Sequence, residues 1–315
     1  MKNIYIASCE KNGGIYRCLF EDGKLAIQEK TVLDFPMYAV IQDKKMHVLL
    51  RETDPATHFG GLVSFDIGED GRLIRASEIY GTQVVVHCHI SADGERIYIV
   101  NYMSGNIVRY PDTVVQHKGK GPDPSRQEAP HTHFAAIRGG EVFCTDLGLD
   151  TVFLYDRELH EKARVKTPPG SGPRHLCFSE DGEYFYCVNE LSNDVSVFAY
   201  NGGRPILRGT YPALPGYTGE SAAAAIRIRG EYLYISNRGA DTISRFRISG
   251  DTLELLENTP CGGSFPRDFN MVGDYLICAN ETSDSVTVMK LEEGKPIPTD
   301  RALRIGHPLC VTVGE

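Results

Sequence analysis

Short runs of alternating apolar and polar residues, broken by Gly, Asn and Asp, recur along the whole chain. A period of two is that of a strand with two unlike faces. Within this rhythm one phrase repeats: a short apolar segment, a Gly turn, an aliphatic-aromatic strand, an Asn, then a second alternating strand. Tyr184-Phe-Tyr-Cys-Val-Asn-Glu, Tyr232-Leu-Tyr-Ile-Ser-Asn-Arg, Tyr275-Leu-Ile-Cys-Ala-Asn-Glu and Ile97-Tyr-Ile-Val-Asn-Tyr are four copies. The anchor falls at Asn101, Asn189, Asn237 and Asn280; Asp146 fills it in another copy, and Ser8 and Arg51 in two weaker ones. Successive anchors lie 43, 50, 45, 43, 48 and 43 residues apart, and closing the circle from Asn280 through Glu315 back to Ser8 takes another 43. Four strands in roughly 45 residues is the period of a propeller blade. The pattern therefore predicts one all-β domain over residues 1–315, a seven-bladed β-propeller.

Each blade reads as strands A to D. Asp93-Gly94 and Asp181-Gly182 make tight A–B turns, and Asn201-Gly-Gly a C–D turn. The segment Leu309 to Val313 has no room for its own B, C and D strands, and the strands near Asn3, Gly14 and Leu25 have no A. The two ends are expected to share one blade, which hydrogen-bonds the ring shut and hides two strand edges. An open solenoid, the alternative, gives no reason for the ends to complement each other.

Composition narrows the function. Apolar content of 41% supports a large core, and the net charge of -9, with no run of Lys or Arg, argues against nucleic acid as a partner. No apolar stretch approaches the ~20 residues that span a bilayer, so no membrane is expected. The first residues read as a strand rather than as a signal peptide. Nine Cys lie mostly inside strand patterns, as at Cys144, Cys177, Cys187 and Cys278, without a CxxC pair; they are read as reduced core residues of a cytoplasmic protein.

Blade topology converts sequence position into place. The start of strand A and the B–C loop open on one face, the A–B and C–D turns on the other. On the first face the strand A openings give His87 and His89, His131 and His133, Arg174 and His175, Ala224, and Arg267. The residues just after the anchor add Tyr102, Leu147, Glu190, Arg238 and Glu281. The opposite turns carry plain Asp, Gly, Glu and Lys. The anchors, repeated in every blade, are read as structural ties between blades. The residue after the anchor varies, so Arg174, Glu190 and Arg238 are read as functional. Guanidinium groups at a mouth suit a small anion, a phosphate or carboxylate, held bidentately. The polar segments 112–130, 212–221 and 53–60 are expected to overhang this face as a partial lid. His87-x-His89 and His131-x-His133 could each chelate from one strand face, yet no acidic cluster completes a set. No metal or other cofactor is therefore assigned, and no G-x-S-x-G marks a Ser nucleophile. The oligomeric state stays open.

Gly172-Pro-Arg-His-Leu, Asn189-Glu-Leu, Ser236-Asn-Arg-Gly, Asp146-Leu-Gly-Leu-Asp and Phe265-Pro-Arg-Asp-Phe resemble, in order, the signature blocks of the propeller lactonases. That family includes the bacterial propeller-type 6-phosphogluconolactonase and the fungal carboxy-muconate lactonizing enzyme. The resemblance implies a His, two Arg and a Glu at the site: His131, with His133 as the alternative, Arg174, Arg238 and Glu190. It departs at Ala225, where a carboxylate is common, and at Glu281, where Gln is common. The implied activity is hydrolysis of a sugar lactone, 6-phosphogluconolactone foremost, with muconate-type lactonization and a non-catalytic binding propeller as alternatives. In the hydrolytic reading Glu190 is the base for water and His131 protonates the leaving alkoxide. Arg174 and Arg238 stabilise the oxyanion or hold phosphate. Arg267 grips the tail, and His133, His87 and His175 line the substrate.

Overall fold

The structure is a computed structural model. It describes the backbone of residues 1–54, 59–85, 87–94 and 96–314, and their side chains except at 52–54, 79–85, 87 and 88. Twenty-eight strands form seven four-stranded sheets, the architecture of a seven-bladed propeller. One sheet joins the C-terminal strand β28 (Pro308–Val313) to β1 (Lys2–Ser8), β2 (Gly14–Glu21) and β3 (Lys24–Val32). The others follow chain order. They are β4–β7 (Pro36–Gln42, Lys45–Asp54, Phe59–Ile67, Leu73–Val85) and β8–β11 (His87–Asp93, Arg96–Asn101, Asn106–Tyr110, Thr113–Gln116). Next come β12–β15 (Thr132–Arg138, Glu141–Asp146, Thr151–Asp156, Glu161–Lys166) and β16–β19 (Pro173–Phe178, Tyr184–Asn189, Asp194–Ala199, Ile206–Pro212). The last are β20–β23 (Ala222–Arg229, Tyr232–Arg238, Thr242–Ser249, Thr252–Pro260) and β24–β27 (Pro266–Val272, Tyr275–Asn280, Ser285–Glu292, Lys295–Arg304).

The chain divides into two compact units, residues 1–97 with 260–315, and residues 98–259. In the first, the period of two sends alternate residues of β1 into different cores. Ile4 and Ile6 pack with Ile277, Val286 and Val311. Tyr5 and Ala7 pack with Met46, Val48, Phe65 and Cys310. In the second, Phe185 and Cys187 of β17 face Phe143 and Leu154, while Tyr186 and Val188 face Ile226, Ile235 and Phe246. β1 and β17 thus each glue their sheet to both neighbours, and each large side chain so buried is worth about 1.5–3 kcal/mol. The Asp-Gly turns hold because Gly94 and Gly182 take φ of 60° and 78°, where a side chain would strain.

A bulge opens the innermost strand of most blades. One extra residue stands unpaired at Met37, His133, Arg174 and Arg267, at Leu309 opposite β1, and as the pair Ala224–Ala225. A bulge turns its extra side chain out of the ladder. Sequence spacing alone would send positions i and i+2 to one face; the bulge breaks that rule where the candidate residues lie.

Asn101 ties two blades, its main-chain amide and carbonyl both meeting the Thr132 hydroxyl of the next sheet; three other anchors act within a blade. Asn189 donates to Asp194 and Ser196, Asn237 to Thr242 and Ser244, and Asn280 to Thr287. Each clamps the second strand to the third within one sheet. Of the expected overhanging segments, residues 55–58 lie outside the described residues.

β28 lies antiparallel to β1, with Ile4 opposite Val313 and Ala7 opposite Cys310, as the shared blade requires. Leu309, Cys310 and Val311 are each at most 3% exposed. A chain ending at Ile305 bares the edge of β1 and the cores beneath it. It is expected to aggregate on size-exclusion chromatography and to lose the parent's cooperative thermal transition; a soluble variant that melts like the parent would overturn the closure.

Candidate active site

The site grows from one backbone link repeated in register with the bulges. The amide of the residue after the anchor donates to the carbonyl two positions before the bulge: Leu147 to His131, Glu190 to Gly172 and Glu281 to Phe265. The bulged residue and the residue after the anchor therefore stand side by side. Where they are Arg and Glu they pair. Arg174 Nε donates to Glu190 Oε2 at 3.0 Å, and Arg267 Nη1 to Glu281 Oε2 at 3.1 Å.

Glu190 collects more than its own partner. Arg238 Nη2 stands 2.7 Å from the same Oε2, Arg126 Nη2 2.6 Å from Oε1, and His133 Nε2 3.9 Å from Oε2. Ala224 and Ala225 occupy the bulge of Arg238's own blade, and Arg238 also donates to the carbonyls of Ala222 and Ala223. The carboxylate is buried, with a side chain 5% exposed. Burial by itself would raise its pKa. Arg238, Arg174 and His133, with the Arg126 hydrogen bond, outweigh burial and hold the carboxyl well below the usual range. At neutral pH Glu190 is a fixed anion that aligns guanidinium groups.

His131 sits beside this cluster. Its ring stacks on Tyr102 with centroids 4.4 Å apart, and Tyr102 meets the edge of His133 at 5.7 Å. His131 Nδ1 lies 3.0 Å from the Tyr102 carbonyl and Nε2 3.1 Å from Glu128 Oε1. Both neighbours are acceptors, so both contacts are hydrogen bonds only when the ring carries both protons. The His131 amide donates to Asp146, whose other oxygen meets the buried His117. His175 contacts Arg174 Nη1 through Nε2 at 3.0 Å and lies against Phe134.

The structure thus brings together His133, Arg174, Glu190 and Arg238, with His131 and His175 adjoining. Arg267 belongs to the other unit, where it pairs with Glu281, and His307 stands 3.9 Å from that same acid. The side chain of His87 lies outside the described residues. Sequence reasoning missed Arg126, which the segment 117–131 carries to Glu190; its place in a segment expected to overhang the face was the available signal. It gave no role to Asp150, the last residue of Asp146-Leu-Gly-Leu-Asp, which accepts from the Gly170 and Gly172 amides and from Gln127 Nε2, tying that segment to the Gly-Pro-Arg-His block.

Replacing Glu190 by Gln leaves buried guanidinium groups without their anion. Stability at neutral pH is expected to fall by on the order of 3 kcal/mol, the scale for breaking a buried pair from one side. The sign with pH follows from a carboxyl lower in the folded than in the unfolded chain. Its contribution is complete above the range where an unfolded Glu titrates, roughly pH 4–5, and is lost as pH falls toward the folded value. Urea midpoints for parent and Glu190→Gln are therefore expected to differ at pH 7 and to converge in acid. A gap independent of pH would refute the ion cluster.

Three comparisons bear on this arrangement. A family model described as "Lactonase, 7-bladed beta-propeller" matches residues 3–313. An uncharacterized protein of Staphylococcus saprophyticus is 32% identical, covering 89% of this chain and 88% of its own. Among solved structures, a Lactobacillus plantarum protein superposes with TM-score 0.92 at 25% identity, covering 100% of both chains. A proposed 6-phosphogluconolactonase of Bacteroides uniformis gives 0.91 at 27% identity, covering 99% of each. The periplasmic gluconolactonase of Pseudomonas aeruginosa gives 0.89 at 26%, covering 99% of this chain and 98% of its own. With the family match spanning nearly all of its length, the chain belongs to the seven-bladed β-propeller lactonase family.

Proposed function

We propose that this protein hydrolyses the ring ester of a small sugar lactone with an anionic tail, 6-phosphogluconolactone foremost. The observation that carries this is the buried Glu190 carboxylate holding Arg174 and Arg238 together beside His133. The family membership and the gluconolactonase among the similar structures support it.

Lactone hydrolysis adds water to the carbonyl carbon, places negative charge on the carbonyl oxygen, then breaks the ring C–O bond as the alkoxide takes a proton. Arg174 and Arg238 supply donors fixed in place before reaction, which can lower such a barrier by several kcal/mol. Glu190 is too firmly ionised to serve as the base. Its role shifts to aligning the guanidinium groups and to stabilising positive charge on His133, which takes the proton from water. His131, held by Tyr102 and Glu128, donates to the leaving alkoxide. The lactone binds without a metal in this scheme, its carbonyl against the arginines.

Among the described residues, no helix is long and apolar enough to cross a membrane. The eight described cysteines are free. Residence in the reducing cytoplasm belongs to the proposal.

The test is a panel of 6-phosphogluconolactone, glucono-lactone and a muconolactone-type dicarboxylate near neutral pH, corrected for spontaneous hydrolysis. The parent is expected to open the sugar lactones. His133→Gln and Arg174→Ala are each expected to lower kcat by roughly 100-fold or more, the scale of a lost base or oxyanion donor. Circular dichroism on the same samples separates lost chemistry from lost fold. No turnover above the spontaneous rate refutes hydrolysis, and isomerisation of the dicarboxylate alone favours the lactonizing reaction.

A further inference from the structure

The three arginines on Glu190 are not equivalent. Arg174 and Arg238 have side chains 3% and 7% exposed, whereas that of Arg126 is 42% exposed. The first two are tied at several nitrogens. Arg174 uses Nε on Glu190 and Nη1 toward His175, and Arg238 uses Nε and Nη2 on main-chain carbonyls. Arg126 engages the protein through Nη2 only, at Glu190 Oε1 and, at 3.4 Å, at the Tyr102 hydroxyl. Among the described residues its Nε and Nη1 meet no acceptor, and each can still donate to an oxygen of a ligand. A phosphate or carboxylate accepts charge-assisted hydrogen bonds from such donors.

The backbone that presents this side chain is firmly held. Asp123 Oδ1 accepts from the amides of Ser125 and Arg126 and from the Ser125 hydroxyl. Gln127 is fully buried, donates to the Leu147 carbonyl and to Asp150, and its main chain bonds to Asp123 and Gly121. A Cβ on Gly121 would come within 2.6 Å of the Gln127 side-chain oxygen, so the turn closes tightly. The strap is thus anchored on both sides of Arg126, and only its long side chain is left to move. It stands at the solvent edge of the cluster and shares Glu190 with two buried arginines.

We propose that Arg126 is an anion subsite that binds the phosphate or carboxylate tail of the substrate and sets the preference for charged over neutral lactones. The proposal rests on the lactonase reading above. It also moves the tail-gripping role that the sequence assigned to Arg267 onto a residue that touches Glu190. Arg174 and Arg238 keep the carbonyl, Arg126 takes the tail, and Glu190 links the two functions through its two oxygens.

Calorimetric titration with 6-phosphogluconate and with gluconate tests the subsite without turnover. The parent is expected to bind the phosphorylated acid at least ~10-fold more tightly, the scale of a charge-assisted hydrogen bond. That step is expected to shrink to less than roughly 3-fold in Arg126→Gln and to recover in part in Arg126→Lys, which keeps the charge but not the guanidinium. In the hydrolysis assay, Arg126→Gln is expected to raise KM for 6-phosphogluconolactone by more than it changes kcat, and to cut kcat/KM for that lactone more deeply than for glucono-lactone. An unchanged step in Arg126→Gln, no step in the parent, or equal losses on both lactones overturns the subsite. A parent that shows the step yet opens no lactone leaves the subsite standing and removes hydrolysis. A parent that opens lactones without the step does the reverse.

Discussion

One extra residue at the start of the innermost strand sets the geometry on which the site depends. A strand ladder fixes the direction of every side chain in it, and only a bulge lets one be re-aimed while pairing resumes. Here the bulge recurs from blade to blade with different occupants. Met37 and Leu309 fill it with apolar atoms and join a small buried cluster. His133, Arg174 and Arg267 fill it with chemistry. The scaffold repeats while the occupant varies, so one backbone device yields both packing and a charged site.

The second constraint is electrostatic. A carboxylate as buried as Glu190 is costly unless it is paired and hydrogen-bonded. Arg174 in the same blade would satisfy one oxygen. Arg238 and Arg126 arrive from elsewhere in the chain, from a blade whose bulge offers alanines and from a strap between blades. Buried ion clusters seldom repay their desolvation in stability. What this one provides is a set of donors oriented before any ligand arrives. Asp146 and Asp150 do similar work nearby: Asp146 fixes the His131 amide, and Asp150 ties the strap to the turn before Arg174.

Much of this was legible in the chain. The recurrence from Ser8 to Asn280 counts blades because each blade must present the same faces to its neighbours. Leu309 to Val313 was legible as a partner of Asn3 to Ala7 because neither end had a complete set of strands. Topology also placed Arg174, Glu190 and Arg238 on one face. That His133 rather than His131 meets Glu190 was not legible, since it turns on a one-residue bulge that spacing does not reveal. Nor was the ionisation of Glu190, which looked like a base until its three guanidinium neighbours were in place.

The sequence by itself determined the repeat, the closing strand pair and the residue types at each blade opening, because these follow from local periodicity and from positions counted along the chain. Tertiary structure decided which of those residues meet. Arg126 lies 64 residues from Glu190 and Arg238 another 48 beyond it, and Arg267, alike in motif, pairs with Glu281 instead. Charge interactions fall off over a few ångströms in a partly buried site. Their partners are set by the packing of strands and straps, which no local pattern encodes.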